Sequence, residues 1–294
     1  MFYFCLRGAA GLKLCMFCKN VVGAGRGLTR GQHYFVDISC ADPNRFDKAS
    51  DADIWRAFDK VAASQGVLTK AELDTLEKAA GVSYNENGLI TDLQLRSHVK
   101  PASGTVMDWL HNVLTNGTAS FEVAAFLNCC YNELGIKYSD LDSFVRSAWR
   151  FPFAQSTHKI DAVFSSSREK NAGGTFKASG SELLMALPLL RYFADTVVSP
   201  TRKLDKQVLS LQRLCDVVDT ILWVKRGRST RFNIAGLMQQ HLEAHVAVYG
   251  IDQVKPKHHF QFHNADDIQS TSGTKKVEHE LCAPVAPHHC AFAC

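Results

Sequence analysis

A long apolar run free of charge is missing from this 294-residue chain, and with it the expectation of a membrane span. The longest apolar stretch, Leu183 to Val198, contains Pro188, Arg191 and Asp195, which are costly inside a bilayer and better suited to a buried helix. A secretory leader is not expected either, because the apolar start from Met1 to Leu6 is interrupted by Arg7 and again by Lys13. The ten cysteines are therefore expected to be reduced thiols in a nuclear or cytoplasmic, not a secreted, protein. Charge of one sign is scarce too. The 33 Lys and Arg against 29 Asp and Glu leave a formal +4, compatible with a polyanion such as DNA but naming no partner.

Two familiar loops lack the residues that would make them work. Val22-Gly23-Ala24-Gly25-Arg26-Gly27 has no third glycine three residues after the second and no following helix, so it reads as a flexible loop, not a dinucleotide fingerprint. Around Gly66, Leu68 and Glu72 the spacing suits a calcium-binding loop beginning at Val61. Val61, Ala63 and Gln65 then stand where the acidic ligands belong, so the segment is expected to serve packing.

What is present is mostly helical. Apolar content of 46% can bury a sizeable core. Ser50 caps a helix through Ile54, Trp55, Phe58 and Val61, and Thr69 with Glu72 forms a capping box for a second that ends at Gly81. Helical spacing recurs from Phe121 to Leu134, from Leu141 to Trp149, from Leu183 to Val198 with a break expected at Pro188, from Leu204 to Lys225, and from Ile234 to Tyr249. His33 to Cys40 is rich in strand formers, and Ser156 to Lys177 reads as a polar loop whose basic groups include Lys159 and Arg168. Met1 to Leu6 reads as the end of a buried strand, so the chain is expected to begin inside a domain.

Chemistry concentrates in Lys255-Pro256-Lys257-His258-His259-Phe260-Gln261-Phe262-His263. In a helix starting after Pro256, His258 and His263 are five apart and His259 and His263 four apart, and either pair is expected to project from one face at metal-ligand spacing. Two imidazoles alone hold a transition metal weakly. The chain offers one matching pair near its start, Cys15-Met16-Phe17-Cys18, and a Cys2His2 set is a closed tetrahedral zinc site. The alternative, buried thiols and a surface histidine cluster, stays open on spacing alone, since more than two hundred residues separate the pairs. Asp108 and His111 share a helix face and permit a carboxylate–imidazole pair or a simple N-cap. Near the end, Glu278, His279, Glu280, Cys282, His288, His289, Cys290 and Cys294 stand among prolines that favour a loose tail.

Three segments together resemble motifs of eukaryotic DDE transposases. They are Leu12-Lys13-Leu14-Cys15-Met16-Phe17-Cys18-Lys19-Asn20-Val21, Met107-Asp108-Trp109-Leu110-His111 with Gly117, and Val254 through His263. The resemblance is to the supergroup that includes the CACTA, Mirage and Chapaev elements, and more distantly to Transib transposases and the vertebrate antigen-receptor recombinase. It implies a mainly α chain with a small α/β part: a partial RNase H-like core at 1–40, a helical insertion at 41–253, a zinc-ligand segment at 254–270 and a tail at 271–294. It also implies one structural zinc ion on Cys15, Cys18, His258 and His263, with His259 as the substitute for His258, so that the two ends of the polypeptide meet.

A DDE site holds two Mg2+ or Mn2+ ions on three carboxylates. By the resemblance two of these belong upstream of Cys15, yet none of the fourteen preceding residues is Asp or Glu. Glu278 is the nearest counterpart of the third. The expectation is therefore a zinc-bearing, DNA-binding or homo-oligomeric relative without strand transfer. The alternatives are an active metal-dependent nuclease using Glu278 and Asp108, and a metal-free helical interaction domain.

Overall fold

The computed structural model describes residues 11–23, 35–88, 91–92, 94–148, 163–170, 174–228 and 233–271. The opening Met1 to Leu6, the glycine loop beyond Gly23, Lys159, Glu278 and Glu280, and the cysteine- and histidine-bearing tail lie outside them.

Helices form where local chemistry starts and stops them. The first, α1 (Asp51–Ala63), begins with a reciprocal capping box between Ser50 and Asp53, and α2 (Lys70–Ala80) with one between Thr69 and Glu72. Gly81 ends α2 in the left-handed region at φ 77°, and an added Cβ there would press on Lys13 at 3.2 Å. A π-helical turn, Leu110–Leu114, precedes α3 (Thr118–Leu134). Gly117 at their junction is required by close approach, because a Cβ would collide with the backbone of Asn112 and Val113. Further helices are α4 (Tyr138–Ala148), the short α5 (Ser166–Lys170), α6 (Gly180–Phe193), α7 (Asp205–Lys225), α8 (Ile234–Tyr249) and α9 (Pro256–Thr271). The mainly α expectation therefore holds.

Strand content is small. Val21–Val22 (β1) pairs in parallel with Val36–Asp37 (β2), in the register Val21 with Val36 and Val22 with Asp37. Of the strand expected over His33 to Cys40, His33 and Tyr34 lie outside the described residues, and among 35–40 Val36 and Asp37 form the strand.

Two expectations need correcting. Helix α6 does not break at Pro188 but runs through it to Phe193. The chain then loosens into a π-helical segment, Ala194–Val198. Tertiary packing overrides the missing N–H: Leu187, Leu189, Leu190 and Phe193 are all buried. The polar stretch from Ser156 to Lys177 contains helix α5, and Arg168 is engaged there by Glu182 at 2.8 Å and by the Lys177 carbonyl.

Gly180–Thr201 is long and apolar enough, by length and composition, to cross a membrane. Here its apolar face is built into the core, and Arg191 pairs with Asp216 of α7 at 3.0 Å.

A single hydrophobic cluster extends from Leu14 to Ala265 and draws on the Cys15–Cys18 segment, β1, β2, α3, α4, α6, α7, α8 and α9. Helices α7 and α8 pack along each other over most of their length. Two smaller clusters lie under α1 and α2. Against this apolar background α9 is unusual. His258, His259, Gln261, His263 and Asn264 are all buried on it, and side chains of that kind are rarely placed in a core without partners.

Candidate metal centre

The Cys15–Cys18 segment and α9 are each held in place by hydrogen bonds outside the cysteine–histidine cluster. The Cys15–Cys18 knuckle is held by bridges from Lys13 to Val22 and from Cys18 to Lys48. Lys19 N–H donates to the Asp47 carbonyl at 2.7 Å, and Ala49 N–H to the Phe17 carbonyl at 2.8 Å. Asn20 adds two side-chain bonds, donating to the Arg45 carbonyl and accepting from the Asp47 N–H.

Helix α9 is fixed by the Met107–Leu114 segment. Asn264 donates to the Met107 carbonyl at 2.8 Å, and Asp267 accepts from the Met107 N–H at 2.9 Å. Asn112 bonds Asn264 at 3.2 Å, and Lys257 Nζ donates to the His111 carbonyl at 2.7 Å. The three segments singled out in the sequence therefore adjoin one another along α9.

There the thiols of one end meet the imidazoles of the other. Cys15 Sγ lies 3.1 Å and Cys18 Sγ 3.4 Å from His263 Nε2, across 248 and 245 residues of sequence, and His259 Nε2 is 3.3 Å from the same nitrogen. Cys15, Cys18, His259 and His263 each offer one ligand atom, all within 4.8 Å of one another, and all four residues are buried. Zinc bonds of about 2.3 Å to sulfur and 2.0–2.1 Å to nitrogen give tetrahedral edges of about 3.3–3.8 Å between ligand atoms. Two of the observed separations, 3.3 and 3.4 Å, fall in that range and the third, 3.1 Å, is slightly shorter, so the donor set could hold zinc with a small outward shift of Cys15. A buried polar cluster that hydrogen bonds do not satisfy points the same way, since His259 Nδ1 has no partner.

The substitute of the sequence analysis takes the place of His258. Five residues along an α-helix turn through about 500°, leaving His258 and His263 roughly 140° apart, whereas four residues bring His259 back to within about 40°. His258 accordingly points elsewhere: its ring lies 4.5 Å from that of His245 and 6.2 Å from that of His241. The expectation that either pair shares a face was too generous to the five-residue spacing.

Two aromatic rings flank the histidines of the cluster. Phe17 lies 5.0 Å from His263 and Phe46 4.6 Å from His259, edge to face, between ring centroids. Beyond them, Asp266 Oδ2 stands 3.8 Å from His263 Nδ1 and receives Lys48 Nζ at 2.7 Å, a carboxylate placed behind a ligating imidazole.

The protons follow from these contacts. Burial opposes ionisation of Cys15, yet hydrogen bonds with Cys18, His259 and His263 hold its thiol well below the ordinary value. The hydrogen bond to Cys15, reinforced by burial, pushes Cys18 far up. Burial disfavours charge on His263, but the Asp266 carboxylate and the Cys15 thiolate outweigh it and raise the imidazole to about 9. Burial lowers His259. The four groups are thus strongly interdependent, the thiol of Cys15 favoured in its charged form and that of Cys18 in its neutral form. A divalent ion would displace the protons of Cys18 and His263.

The other marked residues lie apart from these four. Asp108 Oδ2 and His111 Nδ1 are 2.5 Å apart on the surface, and Asp108 also accepts from the Leu110 N–H at 2.9 Å, so the pair and the cap occur together. Cys130 is buried in the core and pushed up to about 12 by desolvation.

Sequence reasoning missed Glu122, His241 and His245, a second buried group whose ligand atoms lie within 4.8 Å of one another. The signal was there to read, since His241 and His245 repeat the four-residue spacing of His259 and His263. Compared with family models, curated proteins and solved structures, the chain matches none of them.

Proposed function

We propose that this chain is a DDE transposase-like protein of the supergroup that includes the CACTA, Mirage and Chapaev elements. In this reading a structural zinc ion on Cys15, Cys18, His259 and His263 ties a partial RNase H-like segment to helix α9, and the helices between them form an insertion. The protein acts as a DNA-binding scaffold and performs no strand transfer of its own.

The observation that carries this reading is the meeting of thiols and imidazoles from segments about 245 residues apart. Four protein ligands leave no open coordination position, which is the arrangement of a structural and not a catalytic zinc. Among the described residues, the groups of metal-ligating side chains are this one and the Glu122, His241 and His245 group, and neither is a set of three carboxylates.

Two measurements test the reading separately. Elemental analysis of purified protein should find zinc, and Cys15→Ser/Cys18→Ser should lower the content by about one ion per chain; a content that the two substitutions leave unchanged, or protein that carries no zinc, would end the claim for this centre. Fluorescence anisotropy with duplex DNA should show binding that weakens steeply with salt, because phosphate contacts release counterions. An absence of binding even at low salt would remove DNA from the function and leave the zinc untouched.

A further inference from the structure

Glu122 on α3 and His241 and His245 on α8 bring three ligating groups together in the interior, with 0–1% of each side chain exposed. His245 Nδ1 lies 2.5 Å and His241 Nε2 3.5 Å from the same carboxylate oxygen, Glu122 Oε2. What remains is poorly satisfied. Glu122 Oε1, both ring nitrogens of His241 and His245 Nε2 are buried without a hydrogen-bond partner, as are the Tyr249 hydroxyl and His258 Nε2 beside them. Each such atom costs free energy in an apolar interior unless something else engages it. Concentrating this many in one place, around a carboxylate and two imidazoles one helical turn apart, is what a cation site requires.

We propose that Glu122, His241 and His245 hold a second divalent transition-metal ion, chemically distinct from the thiolate centre, that clamps α3 to α8. Two nitrogens and one oxygen form a harder donor set than Cys2His2, one accepted by zinc and by cobalt. His258 stands beside the site and is not counted as a ligand. Its Nδ1 is held by the Lys255 backbone, 3.0 Å from the N–H and 3.3 Å from the carbonyl. The burial of all three ligands assigns the ion a structural role. Helix α9 thereby borders both centres, with His259 ligating in one and its neighbour His258 flanking the other.

The test uses the full chain equilibrated with zinc and freed of excess metal. Elemental analysis should give about two zinc ions per chain, and zinc X-ray absorption should give about one sulfur per zinc, the average of a two-sulfur and a sulfur-free site. His241→Gln/His245→Gln should lower the content to about one zinc and raise the sulfur number to about two. One zinc per chain with two sulfurs in the unaltered protein would overturn the proposal, as would a variant that keeps both ions. A second ion held by the cysteines of the tail would raise the sulfur number above one, which also counts against it. If the variant fails to fold, the stoichiometry and sulfur number of the unaltered protein decide alone. Loss of the second ion with the thiolate centre intact separates this outcome from any failure of the transposase-like reading.

Discussion

The thiolate centre joins residues up to 248 apart, one pair from an irregular knuckle and one from a helix, whereas the carboxylate cluster joins two helices of the same bundle across 123 residues. In the first, two thiols and one imidazole nitrogen lie 3.1–3.4 Å from His263 Nε2, and all four ligand atoms lie within 4.8 Å of one another. The second can settle part of its charge internally through the bond between Glu122 and His245. The difference teaches where an ion matters most. At the first, a bound ion would add covalent-strength bonds to the ring contacts and the Lys48–Asp266 pair that join the knuckle to α9, while α3 and α8 already share an apolar core that includes Val123, Phe126, Leu242 and Met238.

The largest expected effect breaks the first centre. Structural zinc contributes on the order of 10 kcal/mol near neutral pH, so strong chelators or Cys15→Ser/Cys18→Ser should lower the denaturation midpoint of the full chain more than any other change. Failure to change the melting curve would mean the ends are held by packing alone. Next comes Glu122→Gln, which removes one partner of a buried pair and should cost about 3–5 kcal/mol, read as a shift of the denaturation midpoint. A loss under about 1 kcal/mol would show the cluster to be energetically idle.

How much of this was legible beforehand depends on range. Helices α1 and α2 were readable because Ser50 with Asp53 and Thr69 with Glu72 satisfy their first N–H groups within three residues, and Gly81 and Gly135 mark the stops of α2 and α3 in the same local way. The thiol pair and the α9 histidines were each readable as spacing. Their meeting was not, because nothing in 41–253 encodes a distance between its two ends, and that expectation came from resemblance.

Which imidazole turns inward could have been derived from the 100° helical step, and His259 follows from it. Glu122 lies 119 residues before His241 and looks like any polar residue in α3, so its partnership depends on tertiary packing. Pro188 shows the converse case, where a strong local signal for a break yields to the burial of Leu187, Leu189 and Leu190.

Smaller effects sharpen the contrast. His259→Ala should weaken zinc binding at the thiolate centre at least about a hundredfold, since it removes one of four ligands, while His258→Ala should leave that affinity within about threefold. Equal losses would return His258 to the ligand set. Asp266→Asn should weaken zinc by about 10–100-fold, the usual range for a partner behind a ligating histidine.

The pH response separates the two states of the first centre by sign. His263 is raised from 6.5 to about 9 when no ion is bound, so chelated protein gains stability from it below about 6.5 and loses that gain as pH rises through 9. Zinc-bound protein behaves oppositely, since its ligands must be deprotonated, and it should release zinc on acidification. Denaturation midpoints across pH 5 to 10, with and without chelator, would show whether the two curves run in opposite directions.

The most direct test of the central claim is the absorption spectrum of the unaltered protein with cobalt(II) in place of zinc. A thiolate-to-cobalt charge-transfer band, lost in Cys15→Ser/Cys18→Ser and in His259→Ala but retained in His258→Ala, is the predicted result. Absence of that band from the unaltered protein, or a band that survives the loss of both cysteines, would contradict it.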